Sequence, residues 1–432
     1  MKDLNNSIRL RYIFNMVPII LMSLYYYTHY IEGTYSSLIP LVLLMFWLAH
    51  SLTISNLSDI LFNEGQKWWM VYAFVAFMMV FLGFSSTNIN FFIMRIPFYL
   101  VPAMGYFVIK YYRTSEMVVL LSAVALIVFA NIFQNIFLWT MMPEIFEEQI
   151  GDMDNSMQLA ILMNRTDTGF VAVCLWSIGM LIMAIGNVSY IKTRFILLIA
   201  LFLLLFFILF VNTRGTTTLL LGLMTIGMVL AKMEPKRANV KSYYVFSLFL
   251  IVFIGSFVMV PLLLLIIENT ESGRLAERMN DVLSFANSKG NTEEISDSGS
   301  MAARIVLSQT SLNTFFRNPL TMLFGIGDHT VSVGMDLHKT GIGNHSEFID
   351  VLARYGLVGG LIFVKILKSY YRSLKDLASN RRVLKYVNVI FCVFLVYGFL
   401  NNVFYPIIHI FMFIIFPIVI VLINQKYINY GR

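Results

Sequence analysis

Residues 341–360, GIGNHSEFIDVLARYGLVGG, place a His, two carboxylates and an Arg where a polar loop meets an apolar run. A neutral imidazole at His345 suits general-base activation of a hydroxyl near neutral pH. Glu347, Asp350 and Arg354 fall at i, i+3 and i+7 on one helical face, with Asp350 and Arg354 spaced to pair. Asn344 is a good N-cap, and Glu347 three residues on resembles the carboxylate half of a capping box. Such a helix start also attracts anions through its free N–H groups and dipole. The plainer alternative is a capped, salt-bridged helix end with a solvated His.

Three arginines offer the complementary chemistry. Arg214, in FVNTRGTTTLLLG, occupies a very short turn between two apolar runs, level with the headgroup layer where lipid-linked phosphates lie. Arg165, in MNRTDTGF, and Arg304, in MAARIVLSQ, sit beside other apolar runs. Arg304 shares a helical face with Ser308 and Ser311, which would suit hydrogen bonding to a sugar or phosphate. For each Arg the alternative is a side chain that snorkels to water. Cations at one interface suit a pyrophosphate leaving group, whose developing charge fixed donors stabilise in a poorly hydrated site.

His329, His338 and His345, with Asp328 and Asp336, raise the question of a metal. Their spacing fits no helical i, i+4 pair and no DxD-type cluster adjoins them, so neither a metal nor a cofactor is expected. Gly325, Gly327, Gly341 and Gly343 are expected to shape tight loops against the membrane surface. Gly356 and Gly360 form a small-xxx-small pair suited to close helix packing. Arg95 falls inside an apolar run and is expected to face the protein interior, with no role assigned.

The elements that must position these groups follow from composition. Of 432 residues 58% are hydrophobic and 13% charged, against about 25% charged in soluble proteins. Apolar runs of spanning length recur at 12–29, 37–55, 68–86, 91–111, 117–138, 168–189, 195–212, 216–232, 242–267, 346–367, 384–403 and 407–425. Runs of that length satisfy their own backbone only as helices. The expectation is one all-α, polytopic transmembrane domain over 1–432 with about twelve spans. Most of the 31 basic residues then share one side, which puts both termini in the cytoplasm. This topology accounts for the net charge of +7 and leaves no argument for nucleic-acid binding.

The N-terminal segment lacks a small-residue cleavage site and reads as a retained first span. Cys174 and Cys392 lie in apolar stretches and indicate no disulfide framework. Two outer loops are long, the acidic 139–167 and the larger extracytoplasmic 268–345. In the latter, Met301, Ile305, Leu312, Phe315 and Phe316 recur at near-helical spacing, as in a short amphipathic helix on the outer face. Polar residues gather at that face rather than along the bilayer midplane, and no inverted repeat is visible, which disfavours a transporter or lipid flippase.

NHSEFIDVLARYGLVGGLIFV resembles the signature of the O-antigen ligase and Wzy-type polymerase superfamily, a His–Asn/Ser start followed by an acidic or polar helix and Gly–x–x–Gly. ARIVLSQTSLNTFFRNPLTMLFGIGDH resembles the family segment in which an Arg opens a helix ahead of Pro–x–x–Gly–x–Gly. NTRGTTTLLLG is similar to its Arg–Gly turn and MNRTDTGF to its earlier Arg–x–x–Gly–Phe piece. The resemblance covers residues 162–367. Two departures stand out: RIVLSQ lacks the aromatic residue often found after the loop arginine, and the Phe of NHSEF follows Glu where small residues are common.

The resemblance implies a metal-free, inverting GT-C-type glycosyltransferase in the bacterial inner membrane. Its site would face the periplasm and act on undecaprenyl-pyrophosphate-linked oligosaccharide and polysaccharide. It implies His345 as catalytic base, Arg214 and Arg304 as pyrophosphate ligands with Arg165 beside them, and Asn344, Glu347, Asp350 and Arg354 as scaffold. The function expected is an O-antigen or capsular polysaccharide polymerase, working beside a flippase and a chain-length regulator. The alternative within the family is a ligase that moves glycan to lipid A core.

Overall fold

The computed structural model describes residues 9–28, 38–83, 89–141, 156–185, 191–211, 215–232, 300–328, 341–343, 346–378, 380–403 and 406–430. Among these the chain is helical and contains no strand. The helices are α1 (Leu10–Thr28), α2 (Ile39–Leu52), α3 (Leu57–Leu61), α4 (Lys67–Phe81), α5 (Ile89–Tyr111), α6 (Thr114–Met141), α7 (Ser156–Ile185) and α8 (Ile191–Phe206). There follow α9 (Gly215–Lys232), α10 (Ser300–Phe315), α11 (Pro319–Phe324), α12 (Glu347–Leu377), α13 (Arg381–Leu400), α14 (Pro406–Ile410) and α15 (Phe416–Tyr430). A π-helical turn, Phe207–Val211, closes α8, and another, Phe411–Ile415, joins α14 to α15.

Helices occupy each predicted apolar run except 242–267, which lies outside the described residues, as do 142–155 and much of 268–345. Thr114–Phe137, Val383–Leu400 and Pro406–Asn424 are long and apolar enough to cross a membrane. The apolar helices at Ile39–Leu52, Lys67–Phe81, Thr168–Ile182, Phe195–Leu209 and Thr216–Ala231 are shorter. One boundary moves: α7 begins at Ser156 rather than 168, so Arg165 lies within a helix and not in the loop before it. Hydropathy stops at the polar Asn164–Asp167, but the backbone continues because MQLAILM ahead of them is composed of good helix formers.

Proline and glycine shape the bundle around α5. Pro102 has no N–H to give to the carbonyl four residues back, which is that of Phe98. The ring of the buried His409 lies there instead, with Nδ1 3.3 Å from the Phe98 oxygen, and Gln66 Nε2 donates to the next carbonyl, Tyr99, at 2.6 Å. A Cβ at Gly105 would stand 1.8 Å from the Phe413 oxygen, so α5 touches the π-turn backbone to backbone. The Met412 carbonyl in that same turn accepts from Tyr370 of α12. A π-turn widens the helix and turns carbonyls outward, and both are met by packed neighbours.

Residues predicted to share the cytoplasmic side are joined to one another. Arg9 pairs with Glu116 at 2.7 Å, Lys110 with Asp59 at 2.6 Å, and Ser369 of α12 donates to the Glu64 carbonyl. Hydrogen bonds from Lys110 and Tyr111 pull the Asp59 carboxyl down to about 2. A folded-state value below the unfolded one, about 4, means that Asp59 stabilises the fold fully above pH 4. That contribution fades as pH falls through 2. Asp59→Asn should therefore lower the unfolding temperature at pH 7 by about 1–2 °C, since the pair is partly exposed. The two melting curves should converge towards pH 2.

Candidate functional site

Helix α12 does not continue as one helix. Gly356 adopts φ 61°, ψ −158°, and the segments before and after it meet at a kink. The break leaves carbonyls at the end of the first segment, and the loop 325–328 takes them: Ile326 N–H donates to the Ala353 oxygen at 3.0 Å and Gly327 N–H to the Arg354 oxygen at 2.7 Å. The contact is too close for a side chain on either strand of the crossing. A Cβ on Gly325 would lie 2.3 Å from Arg354 C, and one on Gly356 would lie 2.3 Å from Leu323 C. The expected small-xxx-small role for Gly356 and Gly360 is thus corrected. Gly356 serves a backbone crossing with the loop after α11, and a Cβ on Gly360 would meet only the Leu352 side chain of its own helix. Gly325 and Gly327 shape a tight loop, at φ 75° and 72°, and that loop packs against α12.

The interlock delivers Asp328 to a buried ionic cluster. Arg95 of α5 approaches Asp328 Oδ1 at 3.0 Å, Arg354 Nε lies 3.5 Å from the same oxygen, and Tyr355 Oη donates to Oδ2 at 2.8 Å. Arg354 Nη1 meets Glu347 Oε1 at 3.2 Å. Glu347, Asp350 and Arg354 are at most 4% exposed. The expected Asp350–Arg354 pair gives way to Arg354 with Glu347 and Asp328. Seven residues are two helical turns, so Glu347 and Arg354 share a face, and the loop adds a second carboxylate that local spacing could not reveal. Arg95, to which the sequence assigned no role, is the α5 anchor of this cluster. Tyr72 of α4 packs edge-on against Tyr355 at 5.1 Å and closes it from below.

Asp350 has a different task. The first residue of α12 is Glu347 and its N-cap is Ser346, in an extended conformation. Asp350 Oδ2 accepts the Ser346 N–H at 3.1 Å, and Oδ1 accepts the Ser311 hydroxyl at 2.6 Å. The capping carboxylate is therefore Asp350 and not Glu347, because the helix starts later than Asn344 would set it. Asn344 itself lies outside the described residues. Ser311, expected on a sugar- or phosphate-binding face of α10, is completely buried against α12 instead.

The polar face of α10 also holds the incoming chain. Gly343 N–H donates to Ser311 Oγ at 2.8 Å and Gly341 N–H to Thr314 Oγ1 at 2.6 Å. A Cβ on Gly343 would stand 2.1 Å from the Leu307 carbonyl oxygen. Thr310, Ser311 and Thr314 are all buried, so the inward face of α10 is lined by hydroxyls as well as by Phe315, while Phe316 is exposed. That corrects the expectation of a simple apolar stripe.

Arg304 falls in the second turn of α10 and Arg165 within α7. Arg214, in the turn between the α8 π-turn and α9, and His345, between the anchored Gly343 and Ser346, lie outside the described residues. So do His329, Asp336 and His338. Among the described residues no group of three His, Cys, Asp or Glu could hold a metal ion. The structure thus joins the helix of Arg304 to both flanks of His345.

A family model matches part of the chain. The model of the O-antigen ligase family covers residues 199–364, from α8 through the crossing at Gly356. No curated protein matches the chain. The segment 199–364 is thus similar to O-antigen ligases.

Proposed function

We propose that this chain, with its O-antigen ligase-family segment at 199–364, is a polysaccharide polymerase of GT-C type with about twelve spans and its site on the outer face of the bacterial inner membrane. The donor is a growing glycan on undecaprenyl pyrophosphate, and the acceptor is the non-reducing-end hydroxyl of a single lipid-linked repeat unit. His345 takes the hydroxyl proton as the oxygen attacks the anomeric carbon. The bond from that carbon to the pyrophosphate oxygen breaks, with inversion. Arg214 and Arg304, with Arg165 beside them, stabilise the charge left on the departing lipid pyrophosphate, as fixed cations do in a poorly hydrated site. Neither a metal nor a cofactor takes part. A flippase supplies the repeat units and a chain-length regulator works alongside.

The observation that carries this reading is the family match, which holds Arg214, Arg304 and His345 within one segment. It supports a transferase over a transporter. The description of the matching family favours a second reading, a ligase moving the glycan to lipid A core. Purified protein in vesicles, given lipid-linked single repeats alone, should build a ladder of products. A product formed only when lipid A core is added supports the ligase. Transfer to neither acceptor overturns both readings, and activity lost to a chelator and restored by a divalent ion overturns the metal-free mechanism.

A further inference from the structure

The two residues that bracket Asn344–His345 are tied to one buried pair of side chains. Gly343 N–H donates to Ser311 Oγ at 2.8 Å, Ser311 donates onward to Asp350 Oδ1 at 2.6 Å, and Asp350 Oδ2 accepts the Ser346 N–H at 3.1 Å. The chain Gly343–Ser311–Asp350–Ser346 closes a ring around the intervening dipeptide. All four members are buried, and Ser311 and Asp350 are fully so. A ring of this kind removes backbone freedom from the chain it ties down, and its Ser311–Asp350 bond, at 2.6 Å, is of the short, strong kind made to a carboxylate.

We propose that Ser311 and Asp350 are positioning residues of the transfer reaction: they fix the backbone at Gly343 and Ser346, on both sides of His345, and act on the reaction through it. This rests on the reading of His345 as the base. Ser311 sits seven residues after Arg304 on α10, so the same hydroxyl that orients the base is built into the helix that carries a pyrophosphate-binding arginine. Neither Ser311 nor Asp350 needs to touch substrate for this, and their burial keeps them from it.

The test uses the full-length protein in vesicles and compares Ser311→Ala with Ser311→Thr, which keeps the hydroxyl. In Ser311→Ala, hydrogen exchange at the Gly343 and Ser346 amides should quicken. kcat should fall on the order of 10–100-fold, the scale on which a displacement of about 1 Å acts, with KM for the lipid-linked substrate within about twofold. Ser311→Thr should restore both protection and kcat. Should Ser311→Ala fail to fold, Asp350→Asn keeps the shape and one acceptor and carries the same measurement. Unchanged kcat with exchange accelerated, or a change confined to KM, overturns the proposal, as does unchanged exchange. Failure of the underlying reading looks different: His345→Ala would then turn over normally, and Ser311→Ala would loosen both amides without touching kcat.

Discussion

Gly356→Ala should yield little or no monodisperse protein, because both the conformation and the space at this position exclude a side chain. At φ 61°, ψ −158° the backbone lies in a region open essentially to glycine alone, which costs any other residue on the order of 1–3 kcal/mol. The added carbon would also stand 2.3–2.4 Å from Leu323 C, Leu323 O and Phe324 N. These are backbone atoms and cannot swing aside as a side-chain tip can. Parting the two strands breaks the Ile326–Ala353 and Gly327–Arg354 hydrogen bonds and draws Asp328 away from Arg354 and Tyr355. A buried charge stripped of its partner costs about 3–5 kcal/mol. Together these approach the whole margin of a folded domain, about 5–15 kcal/mol. Gly360→Ala is the control, since its Cβ would press only on the end of the Leu352 side chain. It should give near-normal yield and melting temperature. A Gly356→Ala protein that melts with the wild type would show that the crossing is not as described.

His345→Ala should leave the fold intact and abolish polymer. Loss of a positioned base removes about 10²–10⁴-fold in rate, enough to hold a strain at lipid-linked single repeats on a gel of surface glycan. In vesicles the same variant should bind lipid-linked substrate with unchanged affinity while kcat collapses, because the proton is shared only in the transition state. Long polymer of normal length in that strain would sink the assignment. In the proposed mechanism Arg214 and Arg304 serve the leaving group instead, so in variants lacking either the rate should depend on how good that leaving group is, a dependence His345→Ala lacks.

The helices were legible in the sequence to the extent that hydropathy defines them. Apolar runs announced α1, α2, α4, α5, α6, α13 and the α14–α15 pair nearly to their ends. The early start of α7 was not, because polarity at Asn164–Asp167 looks like a boundary to hydropathy and is none to a backbone. The site was legible as a list of residue types and illegible as a set of partners. Arg95 and Asp328 are 233 positions apart, and no local period connects them. Glu347 and Asp350 exchanged expected roles because a helix start displaced by two residues hands the capping function to the next carboxylate. Gly356 was read with Gly360 as a pair for close helix packing; the close approach is real at Gly356, but the break in the helix at that residue carries no signal in the spacing.

An uninterrupted helix is a drive shaft: adding one residue anywhere along it turns everything beyond by about 100°. At Gly356 the shaft of α12 is uncoupled. The stub Glu347–Tyr355 is tied to the 325–328 loop by backbone bonds and to α10 by the Ser311–Asp350 side-chain bond, while further along Ser369, Tyr370 and Tyr371 bond to Glu64, Met412 and Asn388. Drift in the length or rotation of the stretch beyond Gly356 is therefore damped before it reaches Glu347, Asp350 and Arg354. The long part of this helix can change while the register of the short part stays put.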